Sequence, residues 1–175
     1  MILVALGANL STDAHGPPEA GVRAALAVLP EHGIEVRRCS RFYRSAPVPP
    51  SGQPWYVNAV GEVVTRLGPR ELLAALLAVE RNFGRVRKAR NDARALDLDL
   101  IDYEGRQGHW PASDELPALD LPHPRLSERA FVLVPLAELA PDWRHPATGA
   151  RIADLIAALP AGQSLERLEE TAREA

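Results

Sequence analysis

The 175-residue sequence predicts an α+β sandwich, an antiparallel sheet backed by helices, with additional helices at its C-terminal end. Three observations predict it. Hydrophobic periodicity alternates between two and about 3.6 in the order strand, helix, strand, strand, helix, strand. Proline and glycine fall where the period changes. The composition, 46% hydrophobic and 25% charged, is that of a chain able to bury a core.

Residues 2–6 form a short, wholly apolar run ended by a turn, the pattern of a strand buried on both faces. Pro17-Pro18-Glu19 opens a helix whose Val22, Ala25, Leu26 and Leu29 share one stripe, stopped by Pro30 and Gly33. Residues 34–43 read as a second strand. The stretch 44–54 holds four prolines, which suit a shaped loop, and residues 55–65 return to strand character. Gly68-Pro69-Arg70-Glu71 starts a second helix, closed by Gly84. After a basic stretch, 85–94, residues 96–101 alternate strictly as a half-buried strand. A polar loop through Trp110 and an extended Leu121-Pro122-His123-Pro124 follow. Ser127-Glu128 introduces a helix carrying Phe131 to Leu139, and a last short helix spans about 152–159. This order is that of a split βαβ, or ferredoxin-like βαββαβ, sandwich. Residues 1–160 are expected to be one domain, and the acidic tail 161–175 a frayed helix.

Charge and cysteine usage narrow the function classes. Twenty basic against 23 acidic residues give −3, and the pI is near 6.0, which argues against bulk affinity for nucleic acid or anionic membrane. No apolar run approaches the ~20 residues of a membrane helix, and the apolar start lacks a basic flank. Cys39 is the single cysteine, which excludes internal disulfides and thiolate zinc sites and suits a reducing cytoplasm.

The sharpest chemical feature is Asp97-Leu98-Asp99. On a strand, residues i and i+2 share a face, so both carboxylates point one way while Leu96, Leu98 and Leu100 enter the core. Paired hard-oxygen ligands suit Mg²⁺, which fills its remaining positions with water and phosphate. On spacing alone an exposed strand face would explain the pattern as well. Arg85, Arg87, Lys88, Arg90 and Arg94 lie immediately upstream, and guanidinium groups beside such a pair suit polyphosphate. Tyr56 and Asn58 share a strand face that could stack on and hydrogen-bond a flat heterocycle, a pattern also ordinary at strand ends.

Together these motifs resemble the 6-hydroxymethyl-7,8-dihydropterin pyrophosphokinase family of folate biosynthesis. The resemblance runs from Ile2 to about Leu159. It rests on Leu6-Gly7-Ala8-Asn9, Ser40 to Ser45, Gln53 to Asn58, Glu80 with Gly84-Arg85-Val86-Arg87, Arg94 with Leu96 to Asp99, Leu121 to Pro124, and Arg129-Ala130-Phe131 with Pro135-Leu136. It implies the ferredoxin-like fold and transfer of diphosphate from ATP to the pterin hydroxymethyl group, releasing AMP. By position, Asp97 and Asp99 would hold two Mg²⁺ ions, and Arg85 and Arg94 would stabilise phosphate charge in catalysis. Arg87, Lys88, His123 and Arg129 would contact ATP phosphates, with Leu73, Leu77 and Leu100 near the adenine. Tyr56 and Phe131 would sandwich the pterin ring while Asn58 and groups near Ser45 and Val48 read its polar edge. A cytoplasmic monomer with ATP and a dihydropterin as its small-molecule partners is expected. The family's common Arg-Trp-Gly-Pro-Arg loop reads Arg90-Asn91-Asp92-Ala93-Arg94 here, without the tryptophan. Ser45-Ala46 replaces a usual Thr-Pro, and Ala8 stands where serine is common.

Two other classes fit parts of the pattern. A ferredoxin-like RNA-binding module would stack bases on sheet aromatics and bind in a salt-dependent, Mg²⁺-independent way. A phosphatase or nucleotidyltransferase using the same carboxylates would release phosphate or pyrophosphate.

Overall fold

The computed structural model describes residues 1–84 and 93–169. Strand β1 (Ile2–Ala8) leads to helix α1 (Pro18–Val28), β2 (Ile34–Cys39), β3 (Tyr43–Ser45), β4 (Tyr56–Thr65) and α2 (Pro69–Asn82). Then come β5 (Asp97–Tyr103), β6 (Gly108–Trp110), β7 (Leu119–Leu121), α3 (Ala130–Leu139), α4 (Ile152–Ala157) and β8 (Leu165–Arg167). The main sheet runs β5-β1-β4-β3-β8, with β2 also paired to β4; its pairings are antiparallel. The ferredoxin-like expectation is met, with β2 and β3 sharing one edge of β4.

Side-chain alternation divides the sheet into two faces, each with its own core. Val4, Leu6, Ala59, Val63, Leu98 and Leu100 pack with α1 and α2 through Val22, Leu29, Leu72 and Leu76. Leu3, Val60 and Ile101 pack with Val132, Leu133, Leu136 and Ile152 from α3 and α4. Helices therefore lie on both faces, and β1 and β4 are buried because both faces are covered. A register shift between β1 and β5 turns Asp102 toward the α3 side, where its Oδ2 accepts from the Trp143 indole N–H at 2.9 Å. Among the described residues no helix is long and apolar enough to cross a membrane.

Three expectations are corrected. The single strand expected over 34–43 is two, because the Ser40 hydroxyl takes the Val60 N–H at 3.0 Å in place of a ladder carbonyl and the chain leaves the edge before Tyr43. The polar stretch through Trp110 pairs with residues 119–121 as a separate two-stranded ribbon. The frayed helix expected in the tail is, at Leu165–Arg167, a strand on the outer edge of β3. Leu165 and Leu168 have helical spacing, but an unpaired strand edge offers the backbone partners that an isolated short helix lacks. Residues 170–175 lie outside the described residues.

Candidate active site

One face of the sheet is only partly covered by α3 and α4, and the uncovered part is the floor of a cleft of about 1390 Å³. The register sets what stands on that floor. Gly7 of β1 pairs with Asn58 on one side and Asp97 on the other, and Ala5 pairs with Asp99. Larger residues at positions 5 and 7 would fill the space between the amide and the carboxylates. A Cβ on Gly7 would already stand 3.4 Å from Asn58 Oδ1 and 4.0 Å from Asp97 Cβ.

Asp97 and Asp99 share this face, as the alternation predicts, while Leu98 and Leu100 are buried on the other. Arg94 Nη1 donates to Asp97 Oδ2 at 2.7 Å, and Arg129 Nη1 donates to Asp99 Oδ2 at 3.3 Å. Burial works against the Arg94 cation, but Asp97 and its other anionic neighbours outweigh it and raise its pKa. Arg129 is pushed down by burial, only partly offset by Asp99. Its Nε is buried and has no hydrogen-bond partner among the described residues. His123 Nε2 lies 4.0 Å from Asp99 Oδ2, and its Nδ1 accepts from the Arg125 N–H at 3.2 Å. That bond places the proton of the neutral ring on Nε2, facing the carboxylate. Burial lowers the His123 pKa, with Asp99 opposing.

At the other end of the cleft, Asn58 is almost fully buried and donates from Nδ2 to Ser45 Oγ at 2.9 Å and to the Tyr43 carbonyl at 3.4 Å. With Nδ2 so occupied, Oδ1 is the edge it turns toward Gly7. Tyr56 stands two residues earlier on the same face, its hydroxyl donating to Gln53 Oε1 at 3.2 Å. Phe131, in the first turn of α3, lines the cleft with Val48 and the proline-rich loop. The Arg129 guanidinium lies 5.5 Å from the Phe131 ring centroid, so the cationic and aromatic ends of the cleft meet there.

The cleft thus brings together Ser45, Val48, Tyr56, Asn58, Arg94, Asp97, Asp99, His123, Arg129 and Phe131. It does not bring in the three leucines expected near adenine. Leu100 is buried under the sheet, because strand alternation sends it away from Asp99, and Leu73 and Leu77 sit partly buried on α2. Arg85, Arg87 and Lys88 lie outside the described residues. The motif reading assigned no role to Asn9, whose Oδ1 accepts from the Arg94 N–H at 2.7 Å while Nδ2 donates to Gln53 Oε1 and the Pro54 carbonyl, each at 3.2 Å. A polar residue directly after a buried strand was its sequence signal. Gln163, Glu128 and residues 160–162 also line the cleft, and no periodicity marks them.

Among the described residues no group of three or more His, Cys, Asp or Glu side chains could enclose a metal by itself. Two adjacent carboxylates facing a cleft fit a hard divalent cation that completes its shell with water and phosphate oxygens.

The cleft has carboxylates and half-buried guanidinium groups at one end, and aromatic rings with a fixed amide at the other, a polar, charged end beside a flat, apolar one. The family model for 7,8-dihydro-6-hydroxymethylpterin-pyrophosphokinase (HPPK) matches residues 3–141, and the chain belongs to that family of enzymes. It is 45% identical over 155 residues to the 2-amino-4-hydroxy-6-hydroxymethyldihydropteridine pyrophosphokinase of Synechocystis, covering 88% of this chain and 73% of that protein. Its likeness to the enzyme of the same name from Pseudomonas aeruginosa is 42% over 170 residues, 95% and 96% of the two chains. A solved HPPK-DHPS structure in complex with substrates superposes with a TM-score of 0.68 at 11% identity, over 89% of this chain and 42% of that one. That likeness supports the fold.

Proposed function

We propose that this cleft transfers diphosphate from ATP to the hydroxymethyl oxygen of 6-hydroxymethyl-7,8-dihydropterin, releasing AMP, in a Mg²⁺-dependent step of folate biosynthesis. Family membership supports the pyrophosphokinase activity. The observation that carries the finer reading is the register that sets Asn58 and Asp97 on either side of Gly7, so a ring held at one would present its substituent to phosphates held at the other.

In this reading Tyr56 and Phe131 hold the two faces of the pterin, and Asn58 Oδ1 accepts from its polar edge. Asp97 and Asp99 would hold Mg²⁺, which when bound supplies charge neutralisation and alignment of the polyphosphate. Arg94 and Arg129 release part of their hold on the carboxylates and donate to phosphate oxygens, strengthening as charge moves onto the leaving AMP. Arg129 Nε, buried and without a partner among the described residues, is one donor suited to such an oxygen. His123 adds an Nε2 donor beside Asp99. Arg85, Arg87 and Lys88 would join from the loop that precedes Arg94. The pterin hydroxyl oxygen attacks the β-phosphorus and gives up its proton to the solvent, the bond from that phosphorus to the oxygen shared with the α-phosphate breaks with the oxygen leaving on AMP, and the walls of the cleft keep water from competing as nucleophile. The same reading has the chain acting as a cytoplasmic monomer, in keeping with a lone cysteine and one chain lining both ends of the cleft.

Nucleotide analysis after mixing the protein with ATP, Mg²⁺ and the dihydropterin tests it. AMP in equal amount to a diphosphorylated pterin, and only when pterin is present, is the expected result. ADP, or free phosphate, would overturn it.

A further inference from the structure

The family model ends at residue 141, yet one wall of the cleft is built from residues 160–163. These belong to a C-terminal strap held at two neighbouring points by opposite walls of the cleft. Strand β8 pairs with β3, and the Ala46 N–H donates to the Ser164 carbonyl at 3.2 Å, at the start of the proline-rich loop. One residue earlier, the Gln163 side chain reaches the turn before α3. Its Oε1 accepts from the Ala130 N–H at 2.9 Å, and its Nε2 donates to the Glu128 carbonyl at 2.9 Å.

These two bonds bracket Arg129. A single amide fixes the peptide groups on both sides of the residue that carries the guanidinium, and Phe131 follows two residues later. Ala130 N–H is among the first donors of α3 and has no partner within the helix, so Gln163 also satisfies a group that would otherwise be left open. Helix α3 has no side-chain cap of its own at Arg129. The orientation of Arg129 toward Asp99 and of Phe131 into the cleft therefore depends on a residue about 33 positions away in sequence.

Resting on the proposed pyrophosphokinase reading, we infer that Gln163 is a positioning residue that sets Arg129 and Phe131 for the bound pair of substrates, making the C-terminal strap a working part of the site. Ser45 and Ala46 at the strap's other anchor lie on the pterin side of the cleft, so the strap holds together two walls that touch the same ring.

Two variants separate the arms of the amide. Gln163→Leu removes both bonds at similar volume; Gln163→Glu keeps an acceptor for Ala130 N–H but sets a carboxylate against the Glu128 carbonyl. The first readout is ¹⁵N NMR of the free protein. Gln163→Leu is expected to shift the Ala130 amide and Arg129 Nε–H resonances and to speed exchange of the Ala130 amide; unchanged resonances would overturn the positioning role whatever the substrate. The second is steady-state kinetics well below the unfolding temperature, where a purely structural loss does not register. The KM for the dihydropterin is expected to rise about tenfold in Gln163→Leu, the loss of two modest hydrogen bonds, and by less in Gln163→Glu. Altered resonances with unchanged KM values for both substrates would reduce Gln163 to a structural brace and overturn the inference. Wild-type protein in the same assay tests the pyrophosphokinase reading separately, since absence of pterin-dependent AMP would count against that reading while the resonances still report on Gln163.

Discussion

Asn58 and Asp97 sit level with each other on β4 and β5, separated only by Gly7 of β1. The pairing makes the distance between the Asn58 amide and the first carboxylate a property of the sheet. Substitution at Gly7 tests this most simply. Its backbone is ordinary strand, so the position accepts a side chain without strain, but that side chain must rise between Asn58 Oδ1 and Asp97. Gly7→Val is expected to fold and to raise the KM of both substrates about tenfold or more, with Gly7→Ala milder. A Gly7→Val enzyme with both KM values unchanged would show that substrates do not cross this row.

The carboxylate pair carries the metal assignment. Asp97→Asn and Asp99→Asn are each expected to lower kcat at least about a hundredfold, as removal of a principal electrostatic contributor does. Unfolding stability should change by only about 1 kcal/mol, because the lost ion pairs with Arg94 and Arg129 are partly exposed to water. Full activity of both variants at limiting Mg²⁺ would remove the assignment.

Arg94 presents a different signature. Its contact with Asp97 in the free protein is already close, so its gain on phosphate must come as charge develops. Arg94→Ala is expected to lower kcat by about 10² to 10³ while the ATP KM moves less. An effect confined to KM would make it a ground-state contact.

Acid sensitivity follows from His123. Burial depresses its pKa below the ordinary 6.5, so the folded protein binds that proton less readily than the unfolded chain. The stability this group supports is complete above pH 6.5 and is lost as pH falls below it. Denaturant titrations from pH 7.5 to 5 should show a shallower acid loss in His123→Gln than in wild type. Equal slopes would mean that the ring does not resist protonation.

The parts of the molecule legible in the sequence are those fixed by local pattern. The alternation of Leu96 to Leu100 put Asp97 and Asp99 on one face, and the stripe of α1 named Val22, Ala25 and Leu29 as buried. What was not legible depends on partners distant in the chain. Ser40 leaves the ladder because of Val60, residues 165–167 become a strand because β3 has a free edge, and Gln163 joins the site because α3 starts beside it. The same alternation that sets Asp99 on the cleft face buries its neighbour Leu100 on the other. The clamp made by Asn9 was open to the eye as a polar residue after a buried strand, but its two loop partners, Arg94 and Gln53, were not.

In the proposed reaction one cleft holds a pterin and the phosphates of ATP side by side on this sheet face. A crystal structure of the protein with Mg²⁺, the dihydropterin and α,β-methylene ATP, which cannot break at the bond the reaction cleaves, tests it most directly. The expected result is the pterin between Tyr56 and Phe131 with its edge on Asn58, and metal held by Asp97 and Asp99 beside the phosphates. A pterin bound away from Asn58, or a nucleotide whose phosphates lie far from the two aspartates, would contradict it.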